Sequence, residues 1–420
     1  MRLLYSLILS LALPFLFLRL FLRSRHNPDY KKRWSERLGF VPGPKLKGSI
    51  WLHAVSLGEA VAATPLIKSL LATYPDTPLV ISTTTPVGSA YIQTTFVNRV
   101  THSYIPFDLP WFLNRFLKHT QPKLCIIMET ELWPNLIYCT HAKKCALLLA
   151  SACLSRRSFE GYSRIKFLIT PMLNCFDQVA AQTQLDAERF LKLGLDPTKL
   201  SIAGNLKFDL QLSDDIKEQR LSLRNELGKN RILWTAASTH EGEEVILLEA
   251  LKKLKAKNPR ILLILAPRHK ERFNKVFDLC VAQGFKTARH SLNELPDHDT
   301  SIYLIDNFGE LMRCYAASDI AFVGGSLVPI GGHNLLEPAA LALPIVTGPE
   351  LNNITEISQL LLANKALLIT HNADELSETI STLLNNPAQA KLQGEAALSV
   401  VNANRGAVAK HMELIKQHLR

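Results

Sequence analysis

Hydrophobic positions open this chain as a block and then fall into a rhythm. Residues 3–22 are apolar except for Pro14, Arg19 and a few small or amphipathic residues, and 14 of these 20 are Leu, Ile or Phe. At about −0.3 to −0.6 kcal/mol each they are worth roughly −4 to −8 on insertion, against at most about +3 for Arg19. A membrane anchor over residues 1–24 is predicted, spanning the bilayer or lying at its interface. Short apolar runs then alternate with helix-period segments. Strands are predicted at 49–55, 79–83, 123–128, 146–150, 178–181 and 199–202, with a helix over 59–73. A charged stretch at 212–229 interrupts the pattern, which restarts at 231–236, 261–266, 301–304, 320–323 and 344–346. Such alternation implies parallel sheets covered by helices on both faces. The fold class is α/β: two Rossmann-like, doubly wound domains facing a cleft, at 25–211 and 231–392. A linker at 212–230 joins them, and an amphipathic helical segment ends the chain at 393–420.

Length and charge sharpen this picture. A chain of 420 residues exceeds one ordinary core. Net charge is +11, and residues 1–40 hold eight Lys/Arg against Asp29 and Glu36, so +6 of it adjoins the apolar block. A basic collar running from Arg23 to Arg37 fits an anionic lipid surface. A nucleic-acid reader would need a basic stripe interleaved with aromatics, which is not seen. Because the collar lies C-terminal to the block, the positive-inside rule leaves the body in the cytoplasm. Seven cysteines, odd in number and without a CxxC pair, sit mostly in apolar runs. They read as buried thiols of a reducing compartment.

Parallel sheets offer ligands the C-terminal ends of their strands, and polar residues gather there. The first strand runs into Ser56-Leu57-Gly58-Glu59. Gly58 permits a tight turn, and Glu59 serves either the helix dipole or general-base catalysis. The strand at 123–128 leads into Glu129-Thr130-Glu131-Leu132-Trp133-Pro134, where two carboxylates beside Trp and Pro are hard to explain as a solvated face. Asn205-Leu206-Lys207 brings Lys207 near the same edge. In the second half Arg268, after Pro267, can grip a phosphate or carboxylate bidentately. Phe308-Gly309-Glu310-Leu311 can present the amides of Gly309 and Leu311. The strand at 320–323 ends in Gly324-Gly325-Ser326, passes Gly331-Gly332-His333 and meets Asn334-Leu335-Leu336-Glu337. A glycine loop before a helix start holds anions through its amides and the helix dipole. Asn334 and Glu337 then form either a capping box or a clamp on a ribose diol. His53, His240 and His333 are dispersed without ligand spacing. Asp297-His298-Asp299 lies in a polar turn, so no metal site is expected.

The segments YKKRWSERLGF, LHAVSLGEA, STTTPVGS, METELWPNL, GNLKFD, STHEGEE, APRHKERF, GELMRCYAASDIAFVGGS and GGHNLLEPAA, in that order, resemble the Kdo transferase family of Gram-negative bacteria. Those enzymes pass 3-deoxy-D-manno-oct-2-ulosonic acid (Kdo) from CMP-Kdo to the lipid A precursor. The resemblance implies a GT-B glycosyltransferase fold at the cytoplasmic side of the bacterial inner membrane. An acceptor domain comes first, a CMP-sugar domain second, and the C-terminal helix returns to the first. It implies Glu59 as catalytic base, with Glu129, Glu131 and Lys207 supporting the transition state. Pro267, Arg268, Gly309, Glu310, Leu311, Asn334, Leu335, Leu336 and Glu337 fall on the CMP-binding segments. Ser56, Gly58, Ser238, Gly325, Ser326, Gly332 and His333 lie in the same motifs. Leu335 stands where relatives often carry proline, a small loss of helix preorganisation. No cofactor is expected, since a CMP-sugar has one phosphate and needs no metal clamp. The expected partners are CMP-Kdo, the lipid A precursor and anionic lipids. The rival readings are a GT-B enzyme of another nucleotide sugar and a membrane-tethered nucleotide- or lipid-binding protein without catalysis.

Overall fold

The apolar runs fold as buried parallel strands in two separate sheets. A computed structural model describes residues 2–25 and 27–419, divided into unit 1 (Met1–Asp209 with Asn404–Arg420) and unit 2 (Leu210–Ala403). Unit 1 contains β1 Ser49–His53, β2 Leu79–Thr83, β3 Thr101–Tyr104, β4 Pro122–Met128, β5 Ala146–Ala152, β6 Gln178–Ala181 and β7 Leu200–Ile202. Their order is β3-β2-β1-β4-β5-β6-β7, every neighbouring pair parallel. Alternate side chains serve opposite faces: Ile50, Leu52, Leu124 and Ile126 enter one core, Trp51, Cys125 and Ile127 the other. Unit 2 contains β8 Ile232–Thr239, β9 Ile261–Pro267, β10 Thr287–Arg289, β11 Ile302–Leu304, β12 Ile320–Val323, β13 Ile345–Thr347 and β14 Leu367–Ile369. These run β10-β11-β9-β8-β12-β13-β14, again all parallel. Strand order reverses between β1 and β4 and between β8 and β12, the switch points where such sheets bind ligands.

Three strands have no counterpart in the sequence pattern. β3 is Thr-His-Ser-Tyr, and its buried polar groups are paired: His102 Nε2 meets Thr83 Oγ1 at 3.0 Å, and Arg33 donates to the His102 carbonyl at 3.2 Å. β10 and β14 are three-residue edge strands. The stretch expected as a linker is mostly a helix, Ile216–Leu227, built into unit 2. Leu223 and Leu227 are buried beside Leu233 and Leu262, and Arg224 grips Asp319 with two bonds of 3.0 and 2.9 Å.

The C-terminal segment divides. The helix Pro387–Ala403 stays with unit 2, and Ala407–His418 joins unit 1 after a turn at Gly406, φ 99°. Asp209 accepts the N–H groups of Gly406 (2.7 Å) and Val408. His411, fully buried, accepts the Ser151 N–H at Nε2 (2.9 Å). That fixes the proton on Nδ1, which donates to Ala407 O at 2.7 Å. All seven cysteines are free, six of them buried.

The N-terminal block is one helix, α1 Arg2–Arg23, long and apolar enough to cross a bilayer. It is not free-standing. Arg2 Nε donates to Asn135 Oδ1 and Tyr5 OH to Asp108 Oδ2, each at 2.9 Å, while Asn135 donates to Ser6 Oγ at 2.9 Å. Towards its other end the Phe17 ring lies 5.1 Å from Trp34 and 5.3 Å from Phe107. Positions 6, 9, 10, 12, 13, 16, 17 and 20 are buried or half-buried, a stripe of helical period hidden in a sequence that reads as uniformly apolar. Leu3, Leu7, Leu11, Phe15 and Leu18 stand exposed on the other side.

Candidate active site

In unit 1 the polar residues converge on the switch point. β1 ends at His53, and Ser56 caps the helix Leu57–Thr73. Ser56 Oγ accepts the Glu59 N–H (3.2 Å) and donates to Glu59 Oε1 (3.0 Å), while the Val55 N–H donates to Oε2 (2.8 Å). The sequence S-x-x-E thus caps the helix in the manner of a capping box, with the acid reaching back to Val55 one residue before the cap, a reading the sequence analysis gave only to Asn334. Gly58 is not the tight turn expected of it. It lies inside the helix without positive φ, and a Cβ there would meet nothing closer than the Ser56 hydroxyl at 3.7 Å. Capping alone would leave Glu59 an ordinary acid. Burial instead pushes its carboxyl up to about 7; the Val55 N–H and Ser56 hydroxyl oppose this, and the charges of Glu129 and then Glu131 add to it. A carboxyl at this value exchanges protons at neutral pH.

Glu129 follows β4 in the left-handed region, φ 54°, a costly conformation for a non-glycine residue. Lys207 Nζ pairs with its Oε1 at 2.9 Å. Glu131 Oε2 accepts the Trp133 Nε1–H at 2.7 Å, and burial raises its pKa. The two acids left undecided by sequence therefore have different partners. Lys207 is steered by a chain across three strand ends that sequence reasoning missed. Its N–H bonds Asn205 Oδ1 (3.0 Å), Asn205 bonds Gln182 (2.9 Å), and Gln182 bonds Ser151 O (2.8 Å). Each lone amide carries no motif; only the adjacency of β5, β6 and β7 reveals them. His53, buried and pushed down to about 4 by that burial, meets Ser82 Oγ through Nδ1 at 2.9 Å.

In unit 2 one expectation fails. The amides of Gly325 and Ser326 were expected to hold an external anion, and they hold the protein's own. Glu243 is fully buried, and its carboxylate accepts N–H bonds from His240 (2.8 Å), Gly325 (2.7 Å), Ser326 (2.9 Å) and Leu327 (2.9 Å). The Gly331 and Gly332 N–H groups turn to Gly325 O at 3.1 and 2.7 Å. Gly325 does need to be glycine: φ is 69°, and a Cβ would stand 2.8 Å from His333. Ser238, also left-handed at φ 57°, precedes this corner.

Further along, Asn334 Oδ1 accepts the Leu336 N–H (3.0 Å) and Nδ2 donates to Glu337 Oε1 (3.1 Å), a side-chain form of the box. Leu335 and Leu336 are fully buried, so they can offer a ligand only backbone. Burial raises the Glu337 pKa, while Asn334 and Arg268 oppose it. The Arg268 guanidinium has no ion pair among the described residues. Gly309, φ 103°, has open space where a Cβ would be; Glu310 lies 3.6 Å from Arg313, and Leu311 begins the next helix. The histidines thought dispersed are partly gathered. His240 and His333 stack with Nε2 atoms 2.8 Å apart, and His269 lies edge-on to His240. Burial, then His240, Arg268 and His269, push His333 down to about 4. At neutral pH one imidazole donates and the other accepts. Asp297 of the Asp-x-Asp turn is taken up by Thr300 and Lys286.

Two parallel Rossmann-like units with acids at one switch point and a basic, glycine-rich corner at the other define a GT-B glycosyltransferase. Solved structures share this fold. A glycosyltransferase from Rickettsia africae matches with TM-score 0.58 at 17% identity, over 89% of this chain and 99% of its own. The UDP-GlcNAc 2-epimerase of Neisseria meningitidis matches with TM-score 0.57 at 12% identity, over 88% and 100%. Residues 32–210 match the 3-deoxy-D-manno-octulosonic-acid transferase family and residues 215–400 the group 1 glycosyl transferases. The 3-deoxy-D-manno-octulosonic acid transferase of Haemophilus influenzae is 41% identical over 100% of this chain and 99% of its own length. That of Bordetella pertussis is 32% identical over 90% and 89%. The chain belongs to the 3-deoxy-D-manno-octulosonic acid transferase family.

Proposed function

We propose that this chain transfers Kdo from CMP-Kdo to the lipid A precursor, at the cytoplasmic face of the bacterial inner membrane. The observation that carries the reading is Glu59, a carboxyl titrating near 7 next to the Glu129–Lys207 pair. A general base works best with its pKa near the operating pH. Glu59 takes the proton of the acceptor hydroxyl as that oxygen bonds to the anomeric carbon. The bond to the CMP phosphate breaks on the opposite face, inverting the configuration. Glu129 and Glu131 stabilise the oxocarbenium-like charge, and Lys207 holds Glu129 in place. On the donor side Pro267–Arg268, Gly309–Leu311 and Asn334–Glu337 bind CMP, with Leu335 and Leu336 contributing backbone. Arg268 takes the charge of the departing phosphate, and Glu337 accepts from the ribose diol. One phosphate with a cation beside it requires no metal in the step. The exposed stripe of α1 rests in the leaflet with the helix lying along the membrane, its basic collar on anionic lipid.

Incubation with CMP-Kdo and lipid A precursor tests the reading by mass: the product gains whole Kdo increments. No increment, together with a thermal stabilisation by UDP and none by CMP, would overturn it.

A further inference from the structure

Unit 2 gathers three imidazoles and a guanidinium at the C-terminal ends of its strands, and the reading above uses only the guanidinium. The Glu243 carboxylate fixes the His240 N–H at 2.8 Å, and the Thr239 carbonyl accepts the Arg268 N–H at 3.1 Å. The ends of β8 and β9 are thus tied together where His240 and Arg268 emerge. His333 comes from the loop after β12 and abuts Gly325, where a Cβ would stand 2.8 Å from its ring. The His240 and His333 rings lie in planes only 7° apart, with their Nε2 atoms 2.8 Å from each other. His269 meets His240 edge-on, the centroids 5.1 Å apart.

The carboxylates around this cluster are committed. Glu243 is saturated by its four N–H donors. Glu244 accepts from Arg272 at 2.7 and 2.9 Å and from the Thr239 hydroxyl at 2.8 Å, which also occupies Arg272. Glu337 is held by Asn334 at 3.1 Å. His240 faces His269 and Arg272 on one side of the balance and Glu243 and Glu244 on the other. The charges acting on His333 come from His240, Arg268 and His269. Burial is the largest influence on both rings, and it lowers the pKa of each. On its own the pair is neutral at pH 7.

In a neutral pair joined through Nε2, one ring donates there and the other accepts. The donating ring has a bare Nδ1 and the accepting ring an Nδ1–H, and among the described residues neither Nδ1 has a hydrogen-bond partner. One added proton, on the bare Nδ1, leaves the shared bond intact and makes both outward nitrogens donors. The charge it brings is repelled by Arg268 unless an anion stands beside them. An anion at that range raises an imidazole's pKa by about 1–3. The anion itself changes during the reaction. The phosphate of a CMP-sugar is a diester with one negative charge. When the sugar leaves, the bonding electron pair stays on the phosphate oxygen, and the resulting monoester has a second charge above about pH 6.

We propose that the His240–His333 pair takes one proton from solvent as the sugar–phosphate bond breaks, matching the second charge of CMP, and gives it back when CMP leaves. The inference rests on the reading above that the donor is a CMP-sugar. It assigns the first charge of the phosphate to Arg268 and the second to the imidazoles.

The test is a calorimetric titration of the full chain in non-ionic detergent at pH 7, repeated in buffers of different ionisation enthalpy. Proton uptake then appears as the slope of the observed heat against that enthalpy. CMP and cytidine are the ligands. The parent should take up about half a proton or more per CMP bound, and none with cytidine. His240→Gln combined with His333→Gln should abolish the uptake and weaken CMP about tenfold, the worth of one charge-assisted contact, with cytidine bound as before. His269→Gln, exposed and outside the pair, should retain it. The thermal transition checks that the variants fold, and the parent titration is decisive even where one does not. CMP bound by the parent without uptake overturns the inference and leaves Kdo transfer untouched. Uptake that survives in the double variant, or vanishes in His269→Gln, places the proton elsewhere and overturns it too, as does an equal loss of CMP and cytidine affinity. A parent that binds UDP and not CMP removes the donor reading together with the inference. One that takes up the proton with CMP but transfers no Kdo refutes the proposed function and leaves the proton uptake of the pair standing.

Discussion

Glu59 and Glu243 are both glutamates in the first turn of a helix after the first strand of a unit, and their surroundings give them opposite work. Glu59 has two donors and two neighbouring acids, so its proton is easily exchanged near neutrality. Activity should therefore rise with pH through about 7 in kcat/KM. Glu59→Gln should cut turnover by about 10²–10⁴ with folding intact. A flat pH profile between 6 and 8, or a Gln variant of normal turnover, would remove Glu59 from proton transfer. Glu243 has four amide donors, and its Gln variant would turn an NH₂ group towards two of them. That should cost at least about 2 kcal/mol, seen in calorimetry as a lowered unfolding transition. Parent-like stability would show that the loop amides find other acceptors. The sequence marks Glu59 plainly, since its partners Val55 and Ser56 are adjacent. It is silent on Glu243, whose partner loop begins 82 residues later.

At the scale of elements, runs of Val, Ile and Leu marked the buried strands well, because a strand covered on both faces must be apolar throughout. β3 escaped because hydrogen bonds, not apolarity, make it burial-tolerant. The docked face of α1 escaped for the converse reason: Ser6, Ser10 and Tyr5 look like tolerable impurities in a span until Asp108 and Asn135 stand beneath them. This changes what truncation should do. From sequence alone, residues 1–22 supply attachment and the catalytic motifs from His53 onward are independent of them. With α1 removed, Asp108 and Asn135 lose partners. Deletion of 2–22 should lower the thermal transition of the protein in detergent, as well as release it from membranes in a salt-sensitive way. A truncated protein as stable as the parent would mean that the α1 contacts contribute nothing measurable.

For the whole molecule, buried imidazoles set the acid limit. Burial holds His53 and His333 down to about 4, His102 to about 3, and lowers His411 as well. Against an unfolded value of about 6.5, the folded chain binds fewer protons, so their contribution is complete above 6.5 and is lost as pH falls from there towards 4. Glu59, raised to about 7, works the other way and regains stability as pH falls towards 4.5. Glu131, Glu337 and Asp108, which burial also raises, act in the same sense as Glu59; His53, His333 and His102 outweigh them, each worth about 1.4 kcal/mol per pH unit in that window. The unfolding temperature should drop steadily between pH 6.5 and 4.5; a constant value would show that these imidazoles titrate normally.

The helix Ala407–His418 carries a consequence for how the protein is made. Asp209 and its partner amide at Gly406 are 197 residues apart, and the whole of unit 2 is translated between them. At about 5–20 residues per second, the interval is roughly 10–40 s. Unit 2 is contiguous in sequence, whereas unit 1 is made in two pieces. Unit 1, which holds Glu59, Glu129 and Glu131, keeps the Ser151 amide and the surface that receives Ala407 and Ile415 uncovered until that helix has been made. The half synthesised first is completed last: a chain cut short just before Ala407 would carry the whole of unit 2 and an unfinished unit 1.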